Sequence, residues 1–107
     1  MRLKDRVAIV TGAATGIGQA IAVALAGEGA AVVVDYVGKS QLADATLQKI
    51  AATGSSGISI EADVSDPAQV ENLIAQAVSK FGRLDILVNN AGIEFKRPFL
   101  EFPFDLW

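Results

Sequence analysis

The stretch from Val7 to Gly18 constrains the fold most, because an apolar run passes directly into a glycine-rich turn and then into a helical pattern. The run Val7–Val10 is short, rich in β-branched residues and followed by glycine, which is typical of a buried parallel strand. Apolar residues then recur at helical spacing, at Ile17, Ile21, Ala24 and Leu25. The N-terminus of a helix presents unpaired backbone N–H groups, and glycines let a phosphate approach them closely. The stretch therefore predicts a strand, a phosphate-binding turn and a helix.

Strand and helix patterns continue to alternate after Gly29, where the first helix is expected to end. Apolar runs at Ala31–Asp35 and Leu84–Asn89 predict two more buried strands. Residues 57–63 alternate apolar and polar side chains, as an edge strand does. Strands separated by helices of ten or more residues need crossover connections. The chain is therefore predicted to form a parallel α/β sheet with strand order 3-2-1-4.

Two further helices connect these strands. The second is predicted from Ser40, its capping residue, to about Thr53. Its expected inward-facing residues are Leu42, Leu47, Ile50 and Ala51. The third is predicted to begin at Pro67, behind an Asp66 cap, and to end at Gly82. In a sheet of this order, ligands bind beyond the carboxyl ends of the strands, where the order reverses between the first and fourth strands.

The composition excludes several classes of function. The 107 residues carry a net charge of −3, so the chain lacks the basic surface that a nucleic-acid partner needs. Cysteine and histidine are both absent, which removes disulfides, cysteine nucleophiles and histidine acid–base chemistry. No apolar run approaches the roughly 18 residues of a membrane span. We expect one soluble, cytoplasmic domain over residues 1–107.

Three motifs lie at the carboxyl ends of predicted strands. Thr11-Gly12, Gly16 and Gly18 follow the spacing T-G-x-x-x-G-x-G, Asp63-Val64 follows the third strand, and Asn89-Asn90-Ala91-Gly92 follows the fourth. Together, in this order, they resemble the short-chain dehydrogenase/reductase family over essentially the whole chain. The resemblance implies a Rossmann-type doubly wound sheet, here partial, that binds a nicotinamide dinucleotide. The glycines alone leave open a purely structural role in a tight turn.

The resemblance also implies roles for individual residues. Gly12, Gly16, Ile17 and Gly18 would line the pyrophosphate, Asp63 and Val64 would meet the adenine, and Asn89, Ala91 and Gly92 would flank the riboses. For Asn89, a structural role in tying down the turn stays equally open.

The cofactor preference is read at the end of the second strand, where a carboxylate accepts the ribose hydroxyls of NAD and a cation pairs with the 2′-phosphate of NADP. Counted from Gly12, the acidic residue that distinguishes NAD from NADP in the family falls on Tyr36, and the family's arginine falls on Val37. Asp35 therefore lies one residue before the expected acidic position. A second basic position of the family falls on Thr15, which is neutral. We predict that NAD is preferred to NADP, with a solvated, uninvolved Asp35 as the alternative.

The family's catalytic tyrosine and the lysine four residues after it have no counterpart, since Tyr36 is the only tyrosine and residue 40 is serine. We therefore expect the cofactor-binding half of an oxidoreductase that acts on an alcohol or carbonyl. Residues 89–107 resemble the glucose 1-dehydrogenase-like members. We also expect a homo-oligomer, since an apolar fourth strand would lie at the sheet edge. A non-catalytic dinucleotide-binding module is the alternative.

Overall fold

A computed structural model of the chain describes residues 2–90. In this range strands and helices alternate, as the sequence predicts. The elements in chain order are β1 (Val7–Val10), α1 (Gly16–Gly27), β2 (Ala31–Tyr36), α2 (Ser40–Ala52), β3 (Gly57–Glu61), α3 (Pro67–Phe81) and β4 (Ile86–Val88).

The four strands form one parallel sheet with the order β3-β2-β1-β4, which confirms the predicted topology. Every residue of β1 is buried, whereas β3 buries only Ile60, because β1 is central and β3 is an edge strand. Ala13 N donates a hydrogen bond to Asp35 O, and Thr11 N donates one to Val88 O. These bonds tie the turn after β1 to both neighbouring strands.

Side chains on the two faces of the sheet form two separate cores. Alternate residues of β2, such as Val32 and Val34, face α1 and α2, and Val33 faces α3 together with Ile9 of β1. The helices therefore cover both faces of the sheet, two on one side and one on the other. None of the helices within residues 2–90 is long and apolar enough to cross a membrane.

Helix α3 begins and ends where the sequence predicts. Pro67 is its first residue, and the Asp66 carboxylate caps it by accepting a hydrogen bond from Ala68 N at 3.0 Å. Gly82 ends it in the left-handed conformation that favours glycine. Leu73 and Ala77 supply its most buried contacts.

The inward face of α2 differs from the prediction, and the inward face of α1 consists of small residues. Ile17 of α1 is 68% exposed, and the buried side of α1 consists of the small residues Gly18, Ala22 and Ala26. In α2, Leu42 and Ala51 are exposed, and the buried residues are Ala43, Thr46 and Ile50. Ser40 is the first residue of α2, not its cap, and Lys39 occupies the cap position without a side-chain bond. Close packing of both helices on the sheet decides their rotation, and a small inward face permits that approach.

Candidate functional site

A cavity of about 600 Å³ opens at the carboxyl edge of the sheet, where the turns after all four strands meet. This volume lies within the usual range for small-molecule and cofactor sites. Its lining residues are Gly12, Ala14, Thr15, Asp35, Tyr36, Val37, Lys39, Leu42, Ala62, Asp63, Val64, Ser65 and Asn89. The cavity wall thus includes residues from all three sequence motifs. Of the predicted site residues, Gly16, Ile17 and Gly18 do not line it, and Ala91 and Gly92 lie outside the described residues.

The glycine turn and the start of α1 form a row of backbone N–H groups, and Ala14 and Thr15 of this row line the cavity. Gly12 and Gly16 have φ values of 62° and 60°, in the left-handed region where other residues are strained. Within residues 2–90, the N–H groups of residues 14–18 have no protein acceptor. These free donors, at the positive end of the α1 dipole, are suited to bind an anion such as a phosphate.

Gly18 brings the start of α1 into direct contact with the glycine turn. A Cβ atom at this position would overlap the carbonyl oxygen of Gly12 and would lie 2.7 Å from Asn90 Nδ2. Asn90 Nδ2 itself donates a hydrogen bond to Gly12 O at 3.2 Å. Gly18 is therefore required for the turn to pack against the loop that follows β4.

Asn90 is a site residue that the sequence analysis did not assign, although it belongs to the Asn-Asn motif. Asn89, which was assigned, contributes its Oδ1 atom to a 3.3 Å hydrogen bond from the Thr11 hydroxyl and lines the cavity. The side chains of both asparagines thus tie the loop after β4 to β1 and its turn. This geometry supports the structural role of Asn89.

Asp35 is buried and only 1% exposed, so the solvated alternative for this residue is wrong. Its Oδ1 atom has no hydrogen-bond partner within the described residues. Burial raises the pKa of the Asp35 carboxyl from 3.8 to about 7, although the backbone N–H groups of Gly12 and Ala62 oppose this shift. The nearby charge of Asp63 adds to the increase. Near neutral pH this carboxyl is therefore partly protonated.

The raised pKa links the stability of the fold to pH. Between pH 3.8 and about 7 the folded chain binds a proton on Asp35 that the unfolded chain releases. The contribution of this group to stability is therefore full below pH 3.8 and falls as the pH rises to about 7. The contribution of Asp85 to stability depends on pH in the opposite direction, because hydrogen bonding to Arg83 lowers the pKa of the Asp85 carboxyl. Its contribution is lost only as the pH falls below 3.8.

Asp63 is exposed at the other wall of the cavity and is held charged. Its Oδ1 atom accepts hydrogen bonds from Ser65 Oγ at 2.6 Å and from Ser65 N at 2.9 Å, and these bonds lower the pKa of the carboxyl. Asp63 N donates to Gln69 Oε1 at 2.7 Å, which fixes the backbone. Oδ2 of Asp63 and N–H of Val64 have no protein partner in the described part of the chain. This wall therefore offers an acceptor and a donor side by side.

The segment after β2 places a cation at the cavity. Tyr36 is half-buried, Val37 is 68% exposed, and Lys39 lines the cavity. Gly38 N donates to Glu61 Oε2 at 3.1 Å, which holds the segment against β3. Lys39 was missed by the sequence analysis because it lies two residues beyond the position where the family has its arginine.

A second cavity, of about 540 Å³, opens at the opposite edge of the sheet and includes Arg6 and Arg83. Both guanidinium groups already pair with Asp85, at 3.4 Å and 2.7 Å. This cavity lacks the free N–H groups of the glycine turn. We therefore place the functional site at the carboxyl edge.

A doubly wound parallel sheet with an anion-binding glycine turn at its switch point defines the dinucleotide-binding class of α/β proteins. A sequence profile of the short chain dehydrogenase family matches residues 6–107. The chain belongs to that family. It is 53% identical over 92 residues to versicolorin reductase from Emericella nidulans. It is 44% identical over 105 residues to the 3-oxoacyl-[acyl-carrier-protein] reductase of Synechocystis.

Solved structures agree with this assignment. A short chain dehydrogenase from Burkholderia cenocepacia, solved in complex with NADP, matches 98% of the chain at 42% identity and a TM-score of 0.83. The glucose dehydrogenase of Caenorhabditis elegans matches 84% of it, at 41% identity and a TM-score of 0.77. The chain spans only 35% and 42% of the two curated relatives and 43% of the Burkholderia protein.

Proposed function

We propose that this chain binds a nicotinamide dinucleotide at the carboxyl edge of its sheet and is the cofactor-binding part of an oxidoreductase. The observation that carries this proposal is the row of free N–H groups on residues 14–18, held by the contact of Gly18 with Gly12. The first N–H groups of any α-helix lack partners within the helix, and here Ala14 and Thr15 extend this set of donors along the cavity wall, where the phosphates of a dinucleotide can accept from them.

The remaining residues fit the other parts of the cofactor. Val64 N–H and Asp63 Oδ2 form a donor–acceptor pair that matches an adenine edge, and Tyr36 would line the adenosine side with Thr15. Asn89 would contact the riboses, together with Ala91 and Gly92 from the segment outside the described residues. When bound, the nicotinamide accepts or supplies a hydride. The substrate would be a small alcohol or carbonyl compound, and the glucose dehydrogenase neighbour supports a test with sugars and polyols first.

The predicted preference for NAD over NADP depends on two arguments. Thr15 and Val37 are neutral, which still favours NAD. The repulsion of a 2′-phosphate by Asp35 is weakened, because this buried carboxyl is only partly charged near pH 7. Lys39 at the cavity and the NADP-bound Burkholderia neighbour favour NADP(H) as the second candidate.

Calorimetric titration with NAD, NADH, NADP and NADPH tests both the binding of a dinucleotide and the preference between NAD(H) and NADP(H). If no dinucleotide binds at millimolar concentration, the proposed site is wrong. Lys39→Met should weaken binding of NADP(H) by about fivefold, the effect of an exposed ion pair, and leave NAD(H) unchanged. Lys80→Met, which removes the same charge from the exposed end of α3, is the control and should change neither affinity.

A dinucleotide-binding module without turnover is the second candidate function. The cavity and the free N–H groups of the described residues account for binding, and this candidate requires no more than that site. Absorbance of the reduced cofactor, followed with sugars and simple alcohols, distinguishes the two, since only an oxidoreductase changes it. A cytoplasmic location and a homo-oligomeric state stay predictions from the sequence.

A further inference from the structure

Thr46 is a buried polar residue of α2 whose hydroxyl reaches the glycine turn. Thr46 Oγ1 lies 3.0 Å from Ala13 O and 3.2 Å from Ala14 O, but 3.4 Å from Leu42 O of its own helix. A threonine within a helix usually donates its hydroxyl to the carbonyl group four residues earlier in the same helix, which here is Leu42 O. Here the nearer acceptors belong to the turn, so the side chain connects α2 to the loop.

Gln19 of α1 completes the same network from the other side. Its Nε2 atom donates to Thr46 Oγ1 at 2.9 Å and to Ala14 O at 3.3 Å. Lys49 Nζ donates to Gln19 Oε1 at 3.2 Å, which fixes the orientation of the amide. Side chains of α1 and α2 thus hold the carbonyl groups of Ala13 and Ala14, and the backbone N–H of Gln19 donates to Thr15 O at 3.3 Å.

Holding these carbonyl groups also sets the direction of the neighbouring N–H groups. In a trans peptide the C=O and N–H bonds point in opposite directions. With Ala13 O and Ala14 O turned toward α2, the N–H groups of Ala14 and Thr15 point away from it. Both of these residues line the cavity at the carboxyl edge.

We propose that Thr46 and Gln19 are positioning residues that hold the peptide groups of residues 13–15 in the orientation that binds the phosphates of the dinucleotide. This inference rests on the proposed function. Neither residue lines the cavity, so they act through the turn and do not contact the ligand.

The test compares three variants of the full chain. Thr46→Val removes the hydroxyl and keeps the branched shape, whereas Thr46→Ser keeps the hydroxyl. Thr53→Val is the matched control, because its hydroxyl donates to Ile50 O at 2.6 Å at the far end of α2, away from the turn. Affinity for NAD(H) and NADP(H) is measured by calorimetry, under conditions where circular dichroism shows each variant to be folded.

We expect Thr46→Val to raise the dissociation constant by about 3- to 10-fold, because it removes both the hydrogen bond that Thr46 donates to the turn and the one that it accepts from Gln19. Thr46→Ser and Thr53→Val should stay close to wild type. In ¹⁵N–¹H spectra, Thr46→Val should shift the amide signals of Ala14 and Thr15, and Thr53→Val should not. This second measurement separates positioning of the turn from a general loss of stability.

Three results would overturn the inference. These are wild-type affinity in Thr46→Val, an equal loss of affinity in Thr53→Val, and amide signals of Ala14 and Thr15 that do not respond to Thr46→Val. If the wild-type chain binds neither dinucleotide, the proposed function itself fails and this inference fails with it. Binding by wild type together with unchanged binding by Thr46→Val removes only the positioning role.

Discussion

Replacing Gly18 with alanine tests the contact on which the proposed site depends. The added Cβ atom would overlap Gly12 O and would lie 2.8 Å from Gly12 C and 2.7 Å from Asn90 Nδ2. Carbon atoms in contact prefer about 3.5–4.0 Å, and the nearest obstacle is backbone that cannot rotate away. The start of α1 must therefore move away from the turn, or the turn must open.

The expected cost follows from three contributions. Overpacking of this kind costs about 1–3 kcal/mol. Loss of the hydrogen bond from Asn90 to Gly12 O adds about 1 kcal/mol. Alanine is favoured over glycine within a helix by about 0.8–1 kcal/mol, which offsets part of this. We expect Gly18→Ala to lower the free energy of unfolding by about 1–3 kcal/mol.

The control is the same substitution at Gly27, the last residue of α1, where an added Cβ atom meets nothing within 4 Å. Gly27→Ala should leave stability unchanged or raise it by up to about 1 kcal/mol. Urea unfolding followed by circular dichroism measures both variants, and calorimetry measures their dinucleotide affinity. Gly18→Ala should bind at least tenfold more weakly than Gly27→Ala. Equal stability and equal affinity in the two variants would refute the packing argument.

Three further predictions concern charge and the sheet edge. Between pH 3.8 and about 7 the free energy of unfolding of wild type should fall by about 1–3 kcal/mol as Asp35 loses its proton, a slope that Asp35→Asn should abolish in urea titrations. A wild-type slope that survives in Asp35→Asn would contradict this assignment. Val37→Arg should shift the preference toward NADP by about 1–3 kcal/mol, measured as the ratio of calorimetric affinities; an unchanged ratio would place the 2′-phosphate elsewhere. The 107-residue chain should self-associate in light scattering, since β4 is an edge strand of the described sheet; a monomer at all concentrations would contradict this.

The sequence by itself determined the order of elements and the place of the candidate site. The apolar run before Gly12, the cap at Asp66 and the stop at Gly82 are local signals, and local backbone preferences decide them. Parallel strands then bring their carboxyl ends to one edge, so motifs separated by dozens of residues converge without any knowledge of side-chain packing.

Only the tertiary structure decided which side chains meet. Thr46 contacts Ala14 across 32 residues, and Asn90 contacts Gly12 across 78. Periodicity specifies that α2 is a helix, but its rotation on the sheet depends on how closely it packs, which is why Thr46 is buried and Leu42 is exposed. Asp35 likewise occupies a strand end, where the sequence predicts a carboxylate that accepts the ribose hydroxyls of NAD or, as the alternative, a solvated one. The walls formed by other turns bury it and raise the pKa of its carboxyl to about 7, because the energy of a charge depends on everything packed around it.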